Sequence, residues 1–499
     1  MKPNKIVIVG GGAAGWMTAN LMAHEWGGSG ISIVVVESSS IGTVGVGEGS
    51  TPFLREFFAK LNICEDEWMP ACNATFKNGI RFPGWSVLDS SYFHPFYVEQ
   101  DAENAIQFFK ASFARRMGFD LVVNPDAYFL ATQIANQRRA PIRADGVQSN
   151  TDYGYHFDSD LLGRFLKKKA IARGVQYIDD KVLHVNLNDS GDVETVRSEK
   201  NGEIAGDFFV DCSGFKGLII QQSLGERVIS FKSKLFNDSA VAIPTPLNNS
   251  SDSGLLSETI STAISNGWVW QIPLSNRFGN GYVYCSDFLS EDQAELQLRE
   301  FLSAHGDESP ARHLHWTPGR ISQHWKRNCV AIGLSQGFLE PLEAPMMRII
   351  QHTCESFIDN FQNGSFTGQY RDTFNAGINQ LIDGTSDYLQ AHYKASSRSD
   401  SEYWVANRSN MSMSDELKGL LSAWISAASF DEVLAEIADS QVYHKTSWYC
   451  LFAGKGCFRP SRQVGPQKLV DQRNSIMSRL ELEARRYMKH SEYLKSICS

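Results

Sequence analysis

Short apolar runs alternate with amphipathic stretches over the first half of the chain, and their order predicts an α/β fold. Lys5–Val9 (KIVIV) is a continuous apolar run of strand length. Glycines break it at 10–12, helical spacing runs from Trp16 to about His24, and a second strand, Ile31–Val36, ends on Glu37. Strand, helix and strand in that order make a βαβ unit. Ser159–Gly174 has helical periodicity, with Leu161, Leu162, Phe165 and Leu166 on the apolar side and Lys167–Lys169 on a solvated face. Val175–Val185 and Val193–Val210 read as strands, the second interrupted by a turn at Asn201-Gly202. Asp207–Cys212 then runs into Ser213-Gly214. Trp268–Pro273 and Gly281–Ser286 form a strand pair around a turn at Asn276–Asn280. Beyond about Gln351 the pattern is helical, and Gln467–Lys495 reads as one charged surface helix. The polar cluster Asn248–Ser253 is the longest biased segment, and no repeat of 20–50 residues is visible. The expected architecture is a discontinuous α/β lobe over residues 1–350, interleaved with segments at about 53–150 and 218–320. A helical lobe, 351–499, follows and covers the substrate site.

Composition narrows the class. With 499 residues and 42% hydrophobic positions the chain can bury a large core. Forty-seven basic against 56 acidic side chains leave a net charge of −9, which argues against a nucleic-acid partner. Apolar runs are strand-sized, so no membrane span is expected. Lys2 and Lys5 precede an apolar stretch as in a secretory leader, but Gly10–Gly12 interrupt it, so a cytoplasmic location is expected. Nine cysteines scattered from Cys64 to Cys498 without a CxxC suggest neither a disulfide framework nor a metal site.

Residues 10–15 read GGGAAG, so Gly10, Gly12 and Gly15 form GxGxxG between a strand and a helix, with Ala13 and Ala14 inside the loop. The first glycine makes the tight turn, the second admits a pyrophosphate to the backbone, and the third lets helix and strand pack closely. The helix N-terminus offers N–H donors and a favourable dipole to the phosphates. Glu37, at the end of the next strand, is placed to bond a ribose hydroxyl. This pattern predicts a dinucleotide but does not separate FAD from NAD.

Further segments carry a resemblance. They are GGGAAGW at Gly10–Trp16, GVGEGSTP at Gly45–Pro52, ATFKNGIRF at Ala74–Phe82, YHFDSDLLGRFL at Tyr155–Leu166 and DCSGFKG at Asp211–Gly217. GWVWQIPLSNRFGNGYVY at Gly267–Tyr284 and AIGLSQGFLEPLE at Ala331–Glu343 follow, then HYK at His392–Lys394, SEYW at Ser401–Trp404 and WYCLFAGKG at Trp448–Gly456. Together they resemble the flavin-dependent tryptophan-halogenase family, whose most specific signature is WxWxIP. On a strand Trp268 and Trp270 share a face, and the resemblance implies that they separate flavin from substrate.

The resemblance implies FAD, delivered as FADH2 by a separate reductase, with O2 and halide as co-substrates. It adds Gly47, Glu48, Asp211, Leu334 and Met347 as flavin contacts. Lys77 and Glu343 become the catalytic pair, the lysine binding hypohalous acid or capturing its halogen and the glutamate serving the ring intermediate. Two departures matter. Halogenases acting on tryptophan typically continue Ser-Thr-Gly after the glutamate and hold halide near backbone amides there. This chain has Ala344, Pro345 and Met346, and proline has no N–H. Upstream of Trp448 the family's glutamate and Phe-Trp pair are replaced by Ala438 and Val442-Tyr443.

The expectation is therefore a halogenase of an electron-rich indole or phenol other than free tryptophan, favouring bromide or iodide, with Tyr443 and Trp448 in the substrate pocket. Homo-oligomers are compatible with it. A flavin hydroxylase would share the cofactor lobe but accept NAD(P)H directly. A non-catalytic flavoprotein would bind FAD without a halide-dependent product.

Overall fold

In the computed structural model the central parallel sheet follows from the βαβ pattern. The structure describes residues 2–42, 45, 47–86, 90–247, 255–303, 309–437 and 442–498, so Val46, the Asn248–Ser253 cluster and Ala438 lie outside it. Contacts divide the chain into two units.

The first unit comprises Met1–Asn73, Phe157–Lys232 and Trp316–Asp383. Its six-stranded sheet runs Gln176–Asp179, Ser32–Glu37, Lys5–Val9, Phe208–Asp211, Cys329–Ala331, Trp325–Lys326, parallel except for the last pair. Ile6, Val7, Ile8 and Val35 are fully buried, as continuous apolar strands covered on both faces should be. Helices Ala13–Trp26, Ser159–Ala172 and Pro345–Asn363 belong to this unit.

The second unit comprises Ala74–His156, Ser233–His315 and Gly384–Ser499. Its seven-stranded sheet runs Arg312–His315, Ser239–Pro246, Arg277–Tyr284, Gly267–Pro273, Thr259–Ile264, Gly79–Pro83, Ser91–Pro95. An apolar core joins Phe108, Phe129, Tyr388, Trp424, Trp448 and Phe452. No described helix is long and apolar enough to cross a membrane.

The observed units divide the chain elsewhere than at residue 350, because the amphipathic helix Pro345–Asn363 buries its apolar side in the first unit. Val175–Val185 is two strands, Gln176–Asp179 and Val182–Leu187. Asp180 breaks it by accepting hydrogen bonds from the Lys200 and Asn201 backbone amides. Lys167 leaves the expected solvated face, pairing with Glu37 at 3.2 Å and sitting 3.4 Å from the Tyr177 ring centroid. The tryptophan hairpin turns at Ser275-Asn276, tighter than expected, with Leu274 N–H bonding Arg277 O at 2.9 Å. The terminal helix is interrupted. Gln467–Ala484 gives way to a strand, Tyr487–Lys489, paired with Arg139–Arg143, and a second helix, His490–Cys498, follows. Buried Tyr487 and His490 draw the chain inward there.

Candidate active site

In the first unit three loops converge on the glycine turn. Gly10 has φ +109°, open to glycine and strained for other residues, and a Cβ there would lie 2.2 Å from the Cys212 carbonyl oxygen. A Cβ on Gly15 would lie 2.0 Å from the Gly10 carbonyl oxygen. Gly12 differs, for nothing stands within 4 Å of its missing Cβ. Gly12 also caps helix Ala13–Trp26 with no side chain over the first-turn N–H groups. That open space at a helix N-terminus fits a pyrophosphate. Ala14 lies against the turn Gly333–Ser335, since a Cβ on Gly333 would come within 2.7 Å of the Ala14 Cβ. Leu334 is half-buried in that turn, and Met347 is buried in the first turn of Pro345–Asn363.

The acidic candidates differ in what they hold. Glu37 keeps its ion pair to Lys167 and crowds Gly11, where a Cβ would meet its Cδ at 2.2 Å. Asp211 is fully buried, and its two oxygens accept from Ser213 N–H and Oγ–H and from the Ile219 and Ile220 N–H groups. With four donors in place it shapes the DCSG turn from beneath. Gly47 has φ +86°, and burial raises the carboxyl pKa of neighbouring Glu48.

Glu343 sits on a strained corner. Glu343 and Ala344 adopt left-handed φ values of 66° and 52°, a conformation costing about 1–2 kcal/mol per non-glycine residue. Ala344 N–H bonds the Pro341 carbonyl at 2.9 Å, and Pro345 begins the helix where a missing N–H costs no helical bond. Glu343 is buried. Beside the corner a cavity is lined by Phe338, Leu339, Glu340, Pro345, Met346 and Ile349. Buried Gln336 fixes its amide oxygen on Thr353 at 3.2 Å, leaving Nε2 without a partner among the described residues. No motif reading singled out Gln336; an amide directly after the Gly-Leu-Ser turn was its one signal.

The second unit carries the other candidates. Lys77 is fully buried at the end of strand Thr75–Lys77, with Nζ 5.6 Å from the Phe96 ring centroid. Trp268 and Trp270 are buried neighbours, their rings 6.2 Å apart and tilted by 58°. Trp270 lies over its register partner Gly281, where a Cβ would come within 2.0 Å of the indole. Neither indole N–H has a partner among the described residues. Tyr443 and Trp448 converge on Tyr388, Tyr443 stacked at 3.7 Å and Trp448 edge-on at 4.9 Å.

Sequence reasoning passed over two histidines here. His156 and His490 are both fully buried. Burial holds the His156 pKa well below its usual value, with Lys77 and His490 adding repulsion, and burial lowers His490 to about 4. His156 lies inside a quoted motif and shares its short strand with no charged residue, which was the available signal.

Comparison with known proteins gives one direction. The tryptophan halogenase family model matches residues 5–470. The 7-chloro-L-tryptophan 6-halogenase of Kutzneria sp. (strain 744) is 36% identical, over 91% of each chain. The tryptophan 6-halogenase of Streptomyces toxytricini is 37% identical over 85% of this chain and 84% of its own. Its crystal structure superposes with a TM-score of 0.87 at 32% identity, covering 99% of this chain and 100% of that one. The tryptophan C-6 flavin-dependent halogenase (chlorinase) from taromycin biosynthesis gives a TM-score of 0.85 at 30% identity, covering 99% and 100%.

Proposed function

Because this chain belongs to the tryptophan halogenase family and is an FADH2-dependent halogenase using O2 and halide, we propose that it halogenates an electron-rich indole or phenol through Lys77 and Glu343. The observation that carries this reading is the fully buried lysine in the same unit as the paired indoles of Trp268 and Trp270.

The glycine loop around Gly12 would hold the FAD pyrophosphate, with Glu37 at the ribose and Gly47, Glu48, Leu334 and Met347 along the cofactor. Bound there as FADH2 from a separate reductase, the flavin supplies with O2 and halide the oxidising power that makes hypohalous acid. Trp268 and Trp270 keep the aromatic substrate from the cofactor. Lys77 either donates a hydrogen bond to hypohalous acid or, as the neutral amine, takes its halogen with loss of water. Glu343 stabilises the cationic ring intermediate and accepts its proton. A location in the cytoplasm belongs to the same proposal.

Two finer points extend it. After Glu343 the Ala344 N–H is committed to Pro341, Pro345 has none, and the adjoining cavity is mostly apolar with Glu340 on its wall. A donor-poor site poorly replaces the waters of strongly hydrated chloride, and soft Met346 suits bromide or iodide. A missing charged hydrogen bond is worth about 1.5–3 kcal/mol, so equimolar competition is expected to favour brominated over chlorinated product by about tenfold or more. Chlorinated product dominating the mass spectrum discards the proline argument and aligns the chain with the taromycin chlorinase.

The second point is the substrate. Tyr443 turns one face to Tyr388 at 3.7 Å, where the resemblance places a Phe-Trp wall, and Ala438 stands at the clamp glutamate. Burying an amino-acid zwitterion without partners costs about 1–3 kcal/mol per unsatisfied group. Indole or a larger phenol is therefore expected to show a higher kcat/KM than free tryptophan. Tryptophan exceeding indole in the same assay favours the second reading, a tryptophan 6-halogenase, as the names of the relatives suggest.

A further inference from the structure

Lys77 ends a strand of only three residues, Thr75–Lys77. Its face is set by pairing with residues 154–156: Thr75 opposes His156, Phe76 opposes Tyr155, and Lys77 opposes Gly154. Thr75 and Lys77 share one face, and His156 stands on that face across from Thr75.

Hydrogen bonds there have one consistent direction. The Pro273 carbonyl can only accept, so the single Thr75 hydroxyl proton goes to it at 2.6 Å. Thr75 Oγ1 must then accept from His156 Nδ1, 3.0 Å away, which puts a proton on Nδ1. His156 Nε2 lies 2.8 Å from Thr259 Oγ1 and, in a neutral ring, accepts from it. Burial and the nearby Lys77 both oppose a second proton on the ring. Pro273 ends the Trp268–Trp270 strand, and Thr259 begins the strand paired with it. On the other edge, Phe76 N–H donates to His490 Nε2 at 3.1 Å.

We propose that His156 is a positioning residue for Lys77: a neutral imidazole, protonated at Nδ1, that locks the lysine strand through Thr75 to the end of the tryptophan strand and through Thr259 to its neighbour. This rests on the reading of Lys77 as the halogen-handling amine. Thr75 and His156 take no part in making hypohalous acid, so their loss acts after it, on where it meets Lys77.

The test is a coupling measurement on the FAD-loaded enzyme with a flavin reductase, bromide and indole. His156→Phe is expected to oxidise FADH2 at the parental rate with unchanged FAD affinity. Bromoindole formed per FADH2 consumed is expected to fall about tenfold, while bromination of a soluble 1,3-diketone, which traps escaping hypobromous acid, rises correspondingly. His156→Asn, whose amide N–H reaches where Nδ1–H did, is expected to recover most of the coupling. Thr75→Val is expected to uncouple as His156→Phe does, and the double variant no further, because both cut one network. Thr75→Val carries the test if His156→Phe fails to fold. Parental coupling in both single variants, or an Asn variant no better than Phe, overturns the inference while Lys77→Ala stays inactive. Regioselective halogenation by Lys77→Ala overturns the lysine reading and the inference with it.

Discussion

Lys77→Ala is expected to consume FADH2 and O2 at the parental rate and to give at least a hundredfold less halogenated aromatic. The reasoning is one of sequence in the reaction. The lysine belongs to the unit that carries the indole pair, while the cofactor loops belong to the other unit. Removing the amine therefore leaves oxidation of the flavin intact and removes the group that presents halogen to the ring. Proton and hydrogen-bond partners at a reacting centre contribute about 10²–10⁴-fold, which sets the size of the loss. Lys77→Arg separates the two routes, because a guanidinium can still donate a hydrogen bond but stays charged and cannot serve as a free amine. Paired measurements of O2 consumption and product by mass spectrometry decide the matter. Most regioselective activity surviving in Lys77→Ala would mean that free hypohalous acid does the chemistry.

Gly12→Val is expected to yield a folded protein that no longer retains FAD. The open space at its missing Cβ lets the polypeptide accept a side chain, while a pyrophosphate at the helix N-terminus cannot share that space. Loss of two charge-assisted N–H bonds, each worth about 1.5–3 kcal/mol, weakens affinity by roughly 10²–10⁴-fold. Gly15→Val supplies the contrast, since its Cβ would meet the Gly10 carbonyl at 2.0 Å and the damage falls on folding itself. Flavin absorbance after gel filtration, with thermal melting of the apo-proteins, separates the two. A Gly12→Val protein that keeps parental FAD affinity would sink the assignment of this loop.

These two sites differ in how far they could be read from residues alone. The glycine loop was legible because its chemistry is local: spacing, strand and helix lie within one βαβ unit, and the φ of Gly10 and the crowding at Gly15 follow from it. The face shared by Trp268 and Trp270 was legible for the same reason, since a period of two needs no distant partner. Asp180 was not, because an aspartate in a strand pattern reveals its turn only when Lys200 and Asn201 fold back onto it. The donors that hold Asp211 were hidden for a similar reason, since Ile219 and Ile220 belong to the turn after its motif. His156 was invisible in its role, for its meaning comes from Thr75, Pro273 and Thr259, brought together by strand pairing across nearly 200 positions. Which unit receives the helix at 345–363 was not legible either, because helical periodicity tells that Pro345–Asn363 has an apolar side but not what buries it.

The strand order of the first unit also bears on how the chain is made. Lys5–Val9 is flanked by Ser32–Glu37 and Phe208–Asp211, and Cys329–Ala331 joins only beyond the latter. At a synthesis rate of about 5–20 residues per second, the first strand waits roughly 10–40 s on the ribosome for its second neighbour. Throughout that interval Ile6, Val7 and Ile8, fully buried at the end, present a bare apolar edge of the kind that templates aggregation. Nascent chains stalled between residues 40 and 200 are accordingly expected to be captured by chaperones. Slow growth at low temperature with chaperones in excess is expected to raise the yield of soluble enzyme more than a stronger promoter does.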